Sequence, residues 1–138
     1  MGRILGIDLG TRRVGLALSD PRRTFGSPFA TIPFVSENSL VERILALCAE
    51  HDVELVVLGM PYEADGSEGD GCARARKIAD KLGAAGFTTA FQDETLTSHD
   101  AERSLRQAGR TRRRAKEAVD MIAASLILKD YLEQQASG

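Results

Sequence analysis

Two spacings alternate along the chain. Apolar residues crowd together over 3–9 and 14–19, and the short Gly10-Thr11-Arg12-Arg13 link between them predicts an antiparallel hairpin. Asp20-Pro21 breaks the pattern, and residues 26–34 supply a third, irregular strand interrupted by Pro28 and Pro33. Leu40, Val41, Ile44, Leu45, Leu47 and Cys48 then recur at helical spacing behind Ser36 or Asn38 as a cap. Residues 54–59 (Glu-Leu-Val-Val-Leu-Gly) read as a central parallel strand covered on both faces. A polar, Gly-rich loop over 60–71 precedes a helix over 73–85 that Gly86 can stop. Residues 87–92 form another strand, leading directly into Asp93-Glu94. A short helix over 98–108, capped by Thr97 or Ser98 and stopped by Gly109, precedes a last helix over 115–132. The tail 133–138 is expected to fray.

A hairpin-led β-meander followed by βαβ crossovers predicts an α/β fold: a mixed five-stranded sheet, antiparallel in its first three strands and then parallel, flanked by helices on both faces. At 138 residues the chain is most economically one domain over 1–138. No apolar run approaches the ~20 residues of a membrane span, so no membrane partner is expected. Cys48 and Cys72 have no metal-type spacing, which points to a reduced, cytoplasmic protein. The net charge of −2 hides a basic block. Arg103, Arg106, Arg110, Arg112, Arg113, Arg114 and Lys116 follow one another with no acid between them. Such a block is ordinarily a solvated segment, but its arginine bias also suits a polyanionic partner.

Within this α/β pattern, certain acids stand out. Asp8 sits inside an apolar strand, where an uncompensated carboxylate costs several kcal/mol. A turn cap is one compensation; polar partners or a metal ion are others. Asp93 and Glu94 end a later strand, and Asp120 shares a helical face with Ala123, Ala124 and Ile127, the pattern of a helix packed closely on a sheet. Ligands of open α/β sheets collect at the carboxyl ends of strands, so Asp8, one of Asp93 and Glu94, and Asp120 can meet at one edge. Hard oxygen donors without paired His or Cys suit Mg²⁺ or Mn²⁺. Neighbouring strand residues point to opposite faces, so periodicity does not choose between Asp93 and Glu94.

Gly6-Ile7-Asp8-Leu9-Gly10-Thr11-Arg12-Arg13-Val14-Gly15-Leu16-Ala17, Gly59-Met60-Pro61, Asp65-Gly66-Ser67-Glu68-Gly69, Asp93-Glu94 with Thr97-Ser98, and Val119-Asp120 with Ala123-Ala124 together resemble the YqgF/RuvX family. The resemblance runs over about 4–132 with the motifs in the family's order. It implies a ribonuclease-H-like fold and metal-dependent endonuclease activity on structured nucleic acid, chiefly 5′-end processing of pre-16S rRNA during ribosome biogenesis. A Holliday junction resolvase acting on branched DNA is the alternative it carries. The family's carboxylate triad falls on Asp8, Glu94 and Asp120, as catalytic residues and as ligands of Mg²⁺ or Mn²⁺. Thr95 departs from the family, which commonly has Arg there, so substrate contact at that position differs.

Thr11, Arg12, Arg13, Ser98, Arg110, Arg112, Arg113 and Arg114 are the candidate substrate-binding residues, offering hydroxyls and guanidinium groups to phosphates. The Asp65–Gly69 glycines suit a loop approaching an anion. His99 and His51 read as incidental, His51 as a helix C-terminal residue favourable with the dipole. Few aromatics and no Trp leave little for base stacking. Expected partners are structured or precursor rRNA, branched DNA and ribosomal precursor particles, with the protein a monomer or homodimer. Two other classes compete. The Gly6–Thr11 stretch also looks like the first phosphate motif of two-lobed ATPases, of which 138 residues supply one lobe at most. A non-catalytic nucleic-acid-binding protein would use the basic block alone.

Overall fold

A computed structural model of the protein describes residues 2–94 and 112–137. The hairpin forms as the pattern requires: β1 (Arg3–Leu9) pairs antiparallel with β2 (Arg13–Ser19), and β2 with β3 (Gly26–Pro33). A register shift between Leu16 and Ala17 absorbs the irregularity opposite Pro28. Helix α1 (Glu37–His51) starts where the Ser36 side chain accepts a hydrogen bond from the Ser39 N–H at 3.1 Å. It stops at Asp52, whose left-handed φ of 57° turns the chain into β4 (Val53–Met60). Helix α2 (Asp70–Ala84) is followed by Gly86 at φ 93°, the stop signal legible in the sequence, and then by β5 (Thr88–Asp93). The last helix, α3 (Arg112–Ser137), is longer than its apolar pattern at both ends. It continues helical through the exposed residues 133–136, where the sequence suggests a frayed tail.

The sheet order is β3-β2-β1-β4-β5, with β4 parallel to both β1 and β5. Strand alternation then divides the interior in two. Leu5, Ile7, Leu9, Leu16, Val56 and Leu58 face α1 and α2, together with Ile44, Cys48, Cys72, Ile78 and Leu82. Ile4, Ala17 and Val57 face α3 through Ala124, Ile127 and Leu128. A fully buried Leu or Ile contributes roughly 1.5–3 kcal/mol, so both layers are needed to hold the sheet between them.

The α3 layer is the thin one. A Cβ at Gly6 would come 3.0 Å from the Leu128 Cβ, and one at Gly15 would run into the Asp120 carbonyl. Bare backbone at these strand positions is what lets α3 lie directly on β1 and β2. Among the described residues no helix is long and apolar enough to cross a membrane. Cys48 and Cys72 are both buried free thiols, and burial pushes the Cys48 thiol up to about 11.

Candidate active site

The alternation that sends Ile7 and Leu9 to the large core sends Asp8 to the α3 side. Directly across the hairpin from Asp8 is Gly15, and on the other side Ile7 pairs with Leu58, which brings Gly59 alongside. Glu94 follows β5 and is anchored by its own N–H, which donates to the Met60 carbonyl at 3.3 Å. Its carboxyl group occupies the space left by Gly59, where a Cβ would sit 2.5 Å from Oε2. Asp120 reaches the same edge from α3, seated against Gly15. Glu94, rather than Asp93, therefore joins Asp8 on this face.

Asp8 and Glu94 are hydrogen-bonded to each other through their carboxyl groups. Burial, then the Asp8 charge and the hydrogen bond to Asp8, with a smaller push from Asp93, raise Glu94 to about 9. Asp8 is also raised, by burial and by the Asp120 charge, against the opposing effect of the Glu94 hydrogen bond. The two acids resist ionising side by side, and Glu94 keeps its proton at neutral pH.

Asp120 has a different partner. Arg13 Nε donates to its Oδ2 at 2.6 Å, in an ion pair whose side chains are 34% and 16% exposed. Among the described residues no three His, Cys, Asp or Glu side chains converge closely enough to hold a metal ion. The donor set nonetheless fits a hard divalent cation. Two half-buried carboxyl groups that resist ionising side by side are the arrangement such a cation relieves, and all their donors are oxygens.

The substrate-binding candidates fall into three groups. Thr11 and Arg12 are exposed in the β1–β2 turn, which closes through the Gly10 N–H donating to the Arg13 carbonyl at 3.0 Å. Arg13 is engaged with Asp120. Arg112, Arg113 and Arg114 lie in the first turn of α3, which contains no acid, and Arg114 is exposed. Ser98 and Arg110 lie outside the described residues, as do Thr95, Thr97, His99, Arg103, Arg106 and the helix expected over 98–108. The Asp65–Gly69 loop is organised by its own contacts: Asp65 Oδ1 accepts from the Ser67 N–H and hydroxyl, and Glu68 takes a two-pronged pair from Arg76 at 2.6 Å. His51 ends α1, as its place in the sequence implies, with its ring edge against Phe29.

Two contributors escape sequence reasoning. Arg74 on α2 donates from Nη2 to the Gly10 carbonyl at 3.0 Å and lies over the Phe34 ring, bracing the turn that carries Thr11 and Arg12. Gly59 makes room for Glu94. A glycine ending an apolar strand run is a signal of close approach, and it could have flagged that position.

The model of the RuvX family, described as Holliday junction resolvase, matches residues 2–134. The chain belongs to this family. RuvX relatives span it nearly end to end. A protein of Chloroflexus aggregans named "Putative pre-16S rRNA nuclease" is 39% identical over 131 residues, 94% of this chain and 92% of its own length. A Lactococcus lactis protein of the same name is 39% identical, covering 97% and 96%. Among solved structures, Thermus thermophilus RuvC is similar with a TM-score of 0.60 at 11% identity, over 98% of this chain and 96% of that one. The yeast mitochondrial Holliday junction resolvase Ydc2 is similar at 0.61 and 11%, over 98% and 79%. At such identity these two establish the fold alone: the RuvX chain is ribonuclease-H-like, as its motifs imply.

Proposed function

We propose that the protein is a divalent-metal-dependent endonuclease that cuts phosphodiester bonds of structured RNA, most concretely in 5′-end processing of pre-16S rRNA. The observation that carries this reading is the Asp8–Glu94 pair, two carboxyl groups from separate strand ends hydrogen-bonded at one sheet edge, with Asp120 near enough for its charge to be felt at Asp8. The pre-16S rRNA nuclease names of relatives at 39% identity favour RNA as the substrate.

Asp8, Glu94 and Asp120 would hold Mg²⁺ or Mn²⁺. Such an ion, when bound, lowers the pKa of a water and stabilises charge on the phosphoryl oxygens. The chain's own residues do the rest. Glu94 would release its proton to solvent before it could serve as a ligand. Thr11 and Arg12, exposed next to the acids, bind the phosphates flanking the cut. The basic first turn of α3 draws in the polyanion.

Asp8→Asn preserves shape and tests the reading most directly. With Mg²⁺ or Mn²⁺ and a precursor rRNA fragment, the wild type is expected to cut and the variant to lose about 100-fold or more of that rate. If neither precursor rRNA nor a four-way DNA junction is cut, and Asp8→Asn changes nothing, the nuclease reading is wrong. The family description supports junction resolution as a second reading. Cutting of the four-way junction in preference to RNA, by a stable dimer with two sites, would replace the first reading with that one. Nucleic-acid binding without cleavage would leave a binding protein.

A further inference from the structure

The sequence offers Arg13 to phosphate, yet its guanidinium is bound to an acid of the proposed metal site. From this we infer that Arg13 is a latch: the resident counter-ion of Asp120, which a divalent cation must displace before Asp120 can act as a ligand. This inference rests on the metal-dependent reading above and concerns how that site is loaded.

The geometry leaves Arg13 little alternative while the pair is closed. Its backbone is fixed at the start of β2, with the carbonyl accepting from Gly10 N–H and the residue in register with Pro33 of β3. Alternation places its side chain with Gly15 and Ala17 on the α3 face. There Nε meets Asp120 Oδ2 at 2.6 Å, with the Asp120 side chain only 16% exposed. A charge-assisted bond in such partly desolvated surroundings is among the stronger kinds. A cation and a guanidinium then compete for one carboxylate. The carboxylate that Arg13 holds is also one whose charge is felt at Asp8. Once displaced, the guanidinium is freed beside Thr11 and Arg12, on the edge where a phosphodiester would lie. Arg13 thus couples metal loading to phosphate binding, as a positioning residue rather than a direct participant in bond cleavage.

Two measurements on the full chain test this. In the first, Mn²⁺ binding is titrated by the electron paramagnetic resonance signal of the free ion. Arg13→Gln is expected to bind Mn²⁺ about tenfold more tightly than wild type, the equivalent of one competing charge-assisted bond removed. Arg12→Gln, one residue away with the same charge removed, is expected to change affinity about twofold or less. The gain from Arg13→Gln should also vanish in an Asp120→Asn background. Equal gains from Arg12→Gln and Arg13→Gln, or a gain that survives Asp120→Asn, would mean that only general electrostatics is at work and would overturn the latch.

The second measurement is made on the wild type alone. The Arg13 Nε–H resonance, assigned by through-bond correlation along the side chain to the Arg13 backbone, should lose its hydrogen-bonded shift as Mg²⁺ is added. A resonance that stays put at saturating Mg²⁺ refutes displacement. Failure of the latch is separable from failure of the site. Mn²⁺ binding that depends on Asp8 but ignores Arg13 removes only the latch, whereas a wild type that binds no Mn²⁺ removes both.

Discussion

Glu94 keeps a proton at a pH where a glutamate in water has long since released it, and that proton makes the site's charge state measurable. Its ordinary value is 4.5 and its value in the folded chain is about 9. Between these limits the folded protein binds a proton that the unfolded chain does not, so stability is greatest below about 4.5 and declines as pH rises toward 9. The thermal midpoint of the metal-free protein should therefore fall across that window, and Glu94→Gln should flatten the slope, as calorimetry at several pH values would show. On the proposed reading metal binding would run the other way: the cation needs the deprotonated acid, so affinity should climb with pH, with proton release seen when titrations are repeated in buffers of different ionisation enthalpy. Asp8 is visible from the sequence because an acid in an apolar strand demands an explanation. The choice of Glu94 over Asp93 is not, since alternation is silent about which of two successive residues at a strand end turns inward. The fold decides it through Gly59, whose missing side chain opens the space that Glu94 fills.

Element by element, the strands are legible in the sequence and the last helix only partly so. β1, β4 and α1 carry dense apolar periodicity, and their observed bounds fall within a residue or two of the pattern. α3 outruns its apolar stretch because the helix runs on through residues with no apolar periodicity, the basic first turn before it and the exposed residues 133–136 after it. Periodicity measures burial, and a turn that buries nothing leaves no mark on it. Nor could spacing reveal how near α3 comes to the sheet, which depends on Gly6 and Gly15 lying opposite it. This sets a strong expectation for Gly15→Ala. The new methyl would meet helix backbone at Asp120, with no flexible side chain to yield, so α3 must shift bodily. A loss of about 3 kcal/mol, roughly 10 °C in Tm, is expected, and the misplaced Asp120 should weaken Mn²⁺ binding as well. An unchanged Tm would show that α3 is not seated on the bare strand backbone.

Over the whole molecule, charge is arranged unevenly enough to override its total. The chain is net −2, yet the first turn of α3 is basic and acid-free, against the preference of a helix N-terminus for negative charge. Nucleic-acid affinity should accordingly fall steeply with salt despite the negative total. Replacing the exposed Arg114 and Lys116 by Gln should weaken binding to all sequences alike and reduce the logarithmic salt slope by about 1 for each phosphate no longer neutralised. Anisotropy titrations at several salt concentrations measure this, and a slope unchanged by both substitutions would place the polyanion elsewhere.

The separation of the acids along the chain has a consequence in time. Asp8 precedes the other two in synthesis, Glu94 needs β4 and β5 in register, and Asp120 takes its place only when α3 has been made and has settled against Gly15. No fragment ending before residue 120 can contain the full set. On the proposed reading, a nascent chain that lacks α3 would carry an inert edge, and the capacity to cut nucleic acid would appear only once Asp120 has joined the other two acids. The long sequence distance between Asp8 and Asp120 would thus set an order of assembly as well as a packing problem.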